Sequence, residues 1–139
     1  MSEVIKEETG RSAVVLSGPN IASEMMKNLP SATTIASIKK KDLEIVKSVL
    51  STPKLKVNTN NDDIGTEFCG IIKNILAISQ GICKGMGIND NAKFAVLTKS
   101  YNETKCIIEK LGGNRSTVDD YCGFGDIITA STLNVSRNH

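Results

Sequence analysis

The chain has 139 residues, 40% apolar and 23% charged, about the length of a single packed domain. Seventeen Lys and Arg against 15 Asp and Glu leave a net charge of +2, and the arginines are Arg11, Arg115 and Arg137 alone. With 4% aromatic residues and no tryptophan, the chain has neither the clustered basic footprint nor the stacking platform of a nucleic-acid binder.

In chain order, "VIKEE" predicts a short helix and "SAVVLSGPN" a buried strand that breaks at Gly18-Pro19. "NIASEMMKN" reads as a helix with Ile21, Met25 and Leu29 on one side, and β-branched "ATTIAS" as a strand. "KKDLEIVKSVLS" predicts an amphipathic helix with Leu43, Val46 and Leu50 inward, followed by the strand "KLKVNT". Short strands alternating with short helices indicate α/β layering, most simply with parallel strands. Three strands are too few for a stable sheet of their own, and the first helix lacks the strand that should precede it.

From about Asp62 the texture changes. "GTEFCGIIKNILAISQGICKGM" and "DNAKFAVLTKSYNETKCIIEKLGG" read as long helices with no strand signal, the second capped by Asp90 and stopped by Gly112-Gly113. "NRSTVDDYCGFGD" leads into "IITASTLNVSRNH", a helix start and a loop. Cys69, Cys83, Cys106 and Cys122 form no C-x-x-C pair, so they are expected to be reduced apolar fillers rather than metal ligands or disulfides. No signal core opens the chain, and no apolar run approaches ~18 residues. The only histidine is His139, so acid–base chemistry would fall to Lys, Asp, Glu, Tyr or Cys.

Four places could carry chemistry. On a helix, Lys73 shares a face with Cys69, Gly70, Leu76 and Ala77, mostly small residues that let a ligand or backbone come close. Desolvation there would suit proton transfer, while a lysine snorkelling its head to nearby surface explains the same pattern. Gly18-Pro19-Asn20 lies where a strand meets a helix, the end of an α/β sheet where ligands collect, or it is a plain turn capped by Asn20. Asp126 follows a glycine-flanked aromatic and reads as a helix cap or a site carboxylate. Ser136, Arg137 and Asn138 offer a hydroxyl, a guanidinium fork and an amide suited to phosphate or carboxylate, or they form a solvated loop. The run Lys39-Lys40-Lys41 reads as a solvated helix entrance. "GICKGMG" follows a helix and so marks a helix break rather than a dinucleotide loop.

Taken in order and spacing, "LSGPNIASEM", "GIIKNILAISQGI", "GINDNAKFAVLT" and "CGFGDIITASTLNVSRN" resemble the bacterial-type NAD(P)-dependent glycerol-3-phosphate dehydrogenases over roughly residues 10–139. The resemblance implies an oxidoreductase that interconverts dihydroxyacetone phosphate and sn-glycerol 3-phosphate with NAD or NADP as cofactor, in the cytoplasm, for glycerophospholipid precursors. It implies Lys73 as the catalytic proton donor, with Gly18, Asn20, Lys73, Asn74, Asp126, Ser136, Arg137 and Asn138 binding substrate. Ala22 and Arg137 would contact the cofactor, and no metal is implied. The expected partner is the small-molecule substrate, with no nucleic acid and no membrane, and a homodimer is compatible with the complete enzyme.

The implied fold is α/β then all-α: residues 1–60 the C-terminal portion of a Rossmann-like dinucleotide-binding domain, and 61–139 the N-terminal portion of a helical substrate domain. Departures from the family pattern are equally visible. The glycine loop G-x-G-x-x-[AG] and a second active-site lysine that the family carries upstream are missing, as are further helices downstream. Asn89 stands where glycine is common, and Ala130-Ser131 replaces a usual Thr-Cys pair. The chain therefore reads as the middle of an enzyme, and by itself is expected to be inactive. The competing reading is a non-catalytic subunit or pseudoenzyme that binds a phosphate metabolite or a partner chain.

Overall fold

The computed structural model describes residues 1–132, so Ser136, Arg137 and Asn138 lie outside the described residues. Helix α1 spans Ser2–Thr9, strand β1 Val15–Ser17, helix α2 Ala22–Met26, β2 Ser31–Ala36, α3 Lys40–Leu50 and β3 Leu55–Asn60. Two long helices follow, α4 (Asp63–Gly85) and α5 (Asp90–Lys110). After them come a 3-10 turn (Arg115–Asp119), a π turn (Tyr121–Gly125) and α6 (Asp126–Thr132).

The sheet has three strands in the order β1-β2-β3. β2 and β3 are parallel, because the eleven-residue α3 is long enough to carry the chain back across the sheet between them. The expectation of parallel strands fails for β1, which runs antiparallel to β2. Its connection contains only the five-residue α2, too short to cross over, so the chain folds back instead. For the same reason α2 has no inward stripe: none of its residues is buried, Met25 is exposed, and Leu29 lies beyond the helix.

The two faces of the sheet differ. Ile35 and Val57 on one face pack with Leu43, and Val46 and Leu50 join them, as the α3 periodicity predicts. The other face carries Ser17, Thr34, Asn58 and Asn60, and it contacts α4 and the π turn through hydrogen bonds. A second core lies between the helices: Cys69, Ile72 and Leu76 of α4 meet Leu97 and Ile108 of α5 and Val118, Cys122 and Ile127.

Helix ends are set locally. Asp62, itself buried, accepts from the Gly65 amide at 2.8 Å, and also from the Asn114 amide at 2.8 Å and the Thr117 hydroxyl at 2.5 Å. One carboxylate thus caps α4 and ties it to the segment after α5. The cap of α5 is Asn89, whose side chain accepts from the Ala92 amide at 2.9 Å, rather than Asp90. Asp90 is instead in the first turn, where it pairs with Lys93. Gly112 ends α5 at φ +91°, a conformation costly for any residue with a Cβ.

The cysteine expectation holds in part. Cys69 and Cys122 are fully buried, Cys83 is partly buried, and all four thiols are free. Cys106 is exposed, with the Arg115 guanidinium 3.6 Å from its sulfur. It sits on the outer side of α5, where the Leu97–Ile108 face has already turned inward. Among the described residues no helix is long and apolar enough to cross a membrane.

Candidate active site

The π turn and α6 carry Asp126 back to the middle of α4. There Lys73 Nζ lies 2.5 Å from Asp126 Oδ2, across 53 residues of sequence. The side chains are 27% and 6% exposed, so the pair sits at the edge of the interior with the ammonium the more open partner. Burial pushes the Asp126 carboxyl above the ordinary carboxylate range, and the hydrogen bond from Lys73 offsets only part of that.

The surroundings of the pair follow from small residues. Cys69 and Ala77, one turn either side of Lys73, are fully buried. At Gly70 a Cβ would stand 3.3 Å from Ser17 Oγ, so α4 lies close against the end of β1. Ser17 Oγ in turn lies 3.5 Å from Asp126 Oδ2, and the Gly18 amide donates to the same carboxylate. Gly18 is crowded as well: a Cβ there would come within 2.9 Å of Thr33 Cα and 3.1 Å of the Ala32 carbonyl oxygen. The Cys69 thiol behind the pair is pushed upward by its hydrogen bond with Cys122 and by burial.

Of the residues picked out in the sequence, Lys73, Asp126 and Gly18 come together. Asn20 does not cap α2, whose N-cap is Ile21. Its amide donates to Ser31 Oγ at 3.0 Å and to the Ala32 carbonyl at 2.9 Å, holding the Gly18-Pro19 loop on the first residues of β2. Pro19 lies beside Gly125, just before Asp126. Asn74 is exposed and donates back to the Gly70 carbonyl at 3.1 Å, and Ala22 is exposed at the start of α2. Sequence reasoning missed Ser17, although it adjoins Gly18 in "LSGPN". A strand-end serine carries no signal until its neighbour across the fold is known.

A cleft of about 260 Å³ opens beside α1 and reaches this cluster through Ser17 and Gly70. A wider one, about 600 Å³, lies further along α1 and the start of α4, at Lys6, Ile38, Asp63 and Phe68.

Sequence comparison decides the family. Residues 62–139 match the model described as NAD-dependent glycerol-3-phosphate dehydrogenase C-terminus, and residues 1–43 match that of its N-terminus. The chain belongs to the NAD-dependent glycerol-3-phosphate dehydrogenase family. It is 42% identical over 139 residues to the glycerol-3-phosphate dehydrogenase [NAD(P)+] of Clostridium tetani, covering 99% of this chain and 40% of the relative. The protein of that name from a Synechococcus strain is 38% identical, covering 91% of this chain and 42% of the relative. The solved structure of glycerol-3-phosphate dehydrogenase from Coxiella burnetii superimposes with a TM-score of 0.93 at 36% identity, covering 98% of this chain and 42% of that one. The chain thus spans about two fifths of the length of these relatives. Its small sheet followed by long helices is the corresponding part of their fold, a Rossmann-like portion leading into a helical one.

Proposed function

We propose that this segment supplies the proton-transfer group and much of the substrate wall of an enzyme that interconverts dihydroxyacetone phosphate and sn-glycerol 3-phosphate. The observation that carries the reading is the Lys73–Asp126 pair: an ammonium held at 2.5 Å by a buried carboxylate, on a helix face of small residues. Family membership supports the reaction class in which such a pair would work.

In this reading the Lys73 ammonium donates to the C2 carbonyl oxygen of the ketone and transfers its proton as negative charge builds there. Asp126 aims the ammonium, holding it by the 2.5 Å contact between Lys73 Nζ and Asp126 Oδ2. In the reverse direction neutral Lys73 takes the proton from the C2 hydroxyl. Ser136, Arg137 and Asn138 hold the phosphate end, where the guanidinium fork suits two oxygens at once. Gly18, Asn20 and Asn74 complete the substrate wall.

The described residues suit one end of a dinucleotide. Ala22 is exposed at the start of α2, with only a methyl group to present, and it would contact the cofactor together with Arg137. When bound, NAD(P)H supplies the hydride that reaches the C2 carbon. The residues 1–60 would then be the last part of the dinucleotide-binding domain and 61–139 the first part of the substrate domain. We assign the complete enzyme to the cytoplasm, in the supply of glycerophospholipid precursors, and leave a homodimer as its assembly.

The test is steady-state kinetics on a full-length enzyme containing this segment. Lys73→Met should lower kcat by about 10²–10³, the usual loss when one charge-stabilising donor is removed. Arg137→Ala should mainly raise KM, because phosphate is held in ground state and transition state alike. Near-normal kcat in Lys73→Met refutes the assignment and leaves Lys73 a snorkelling surface residue.

A further inference from the structure

One rung of the sheet grips a single short segment at both of its ends. Ser17 stands opposite Thr34 in the β1–β2 pair, and Thr34 stands opposite Asn58 in the β2–β3 pair. Residues directly opposite one another project from the same face of a sheet. Thr34 Oγ1 donates to Asp120 Oδ2 at 3.0 Å, and Asn58 Nδ2 donates to Asp120 Oδ1 at 3.0 Å. At the other end of the row, Ser17 Oγ reaches Asp126 Oδ2 at 3.5 Å. The row of hydroxyl, hydroxyl and amide therefore holds the first and last residues of Asp120–Asp126.

Between those ends lies the π turn. Asp120 governs it through side chain and backbone together: its carboxylate accepts from the Tyr121 amide at 2.8 Å, and its carbonyl accepts from Gly123 at 3.1 Å and Gly125 at 3.5 Å. The Asp126 amide then donates to the Tyr121 carbonyl, five residues back. Such wide turns are uncommon and hold about one more residue per turn than an α-helix. Were this turn to tighten, Asp126 would swing about the axis by up to a residue step of roughly 100°. That movement would take its carboxylate off Lys73.

We propose that Asp120, held by Thr34 and Asn58, is a positioning residue for the proposed proton donor: it sets the turn that aims Asp126 at Lys73. The inference rests on the reading of Lys73 given above. Asp120 acts through the turn: among the described residues its carboxylate meets Thr34, Asn58 and the Tyr121 amide.

The experiment is kinetics on the full-length enzyme carrying Asp120→Ala, Asp120→Asn, Thr34→Val or Lys73→Met, with folding followed by circular dichroism. Asp120→Ala should lower kcat by about 10–100-fold, since misplacing a reacting group by about 1 Å can cost about 10²-fold. KM should stay within about threefold, because the phosphate grip is untouched. Asp120→Asn, whose carbonyl oxygen can still accept from Thr34, should recover part of kcat. Thr34→Val should lower kcat by less, again with KM nearly unchanged, and it decides the matter if Asp120→Ala does not fold. A merely structural latch would lower the melting temperature while leaving kcat and KM in place, and that result overturns the inference. If Lys73→Met abolishes turnover while the Asp120 and Thr34 variants keep wild-type kinetics, only this inference falls. If Lys73→Met keeps turnover, both it and the reading beneath it fall.

Discussion

Removing the ammonium of Lys73 tests the electrostatics of the site without any ligand. Methionine fills the same space among Cys69, Leu76 and Ala77, so Lys73→Met leaves packing nearly unchanged and strands the Asp126 carboxylate. Among the described residues, the groups left to it are Ser17 Oγ at 3.5 Å and the Gly18 amide. Breaking a buried ion pair on one side costs about 3–5 kcal/mol if the remaining charge stays. Asp126 can escape by taking a proton, which limits the loss to ~1.4 kcal/mol for each pH unit above its pKa. Because burial already raises that pKa, the limit at pH 7 lies below the roughly 4 kcal/mol set by an ordinary carboxyl. The expected loss is therefore a few kcal/mol at pH 7, under that limit of about 4 kcal/mol.

The pH dependence has a definite direction. A carboxyl whose folded pKa is raised contributes its full stability below the unfolded value of 3.8 and loses it as pH rises through the folded value. The unpaired carboxyl of the variant should be raised further than the paired one. The difference between variant and parent should therefore be small near pH 4 and grow to a plateau toward neutrality. Urea unfolding of both proteins at several pH values, followed by circular dichroism, measures it. Adding Asp126→Asn to Lys73→Met should recover most of the loss at pH 7. A destabilisation that is the same at pH 4 and pH 7, or one that Asp126→Asn leaves untouched, would show that the pair is not electrostatically coupled and refute this account.

Gly18→Ala should cost about 1–3 kcal/mol in denaturant unfolding, because its Cβ would meet the β2 backbone at 2.9 Å; an unchanged midpoint would contradict the close approach. Asp62→Ala should cost about 2–4 kcal/mol, combining a lost helix cap with the stranded Asn114 amide and Thr117 hydroxyl. A loss no larger than that of a single surface cap would mean the link between α4 and the 3-10 turn is absent in solution. Brief iodoacetamide treatment of the native chain should alkylate Cys106 well before Cys69 and Cys122, as read by peptide mass spectrometry; equal labelling of all four would contradict the buried core.

Much of the fold was legible from local pattern. The switch near Asp62 from short alternating elements to long helices is visible because hydrophobic periodicity reports on neighbours three or four residues away. Leu43, Val46 and Leu50 turn inward for the same reason, and Lys73 stands out because small residues surround it at helical spacing. Errors arose where two local signals were nearly equal, as with Asn89 and Asp90, both able to cap and adjacent in sequence.

What the chain's order of residues could not decide was who meets whom across distance. β1 runs antiparallel because its connection to β2 is too short to cross the sheet, a property of three-dimensional reach rather than of the strand residues. Asp126 could have been a bland helix cap; only the packing of α6 on α4 makes it the partner of Lys73, 53 residues away. Ser17, Thr34 and Asn58 look unremarkable along the chain, and become one row only when strand register sets them side by side. Register is fixed by which face of the sheet buries Ile35 and Val57 against α3, because a one-residue slip would turn those side chains outward. The same burial that makes the sheet stable thus leaves its opposite, polar face free to hold Asp120 and Asp126.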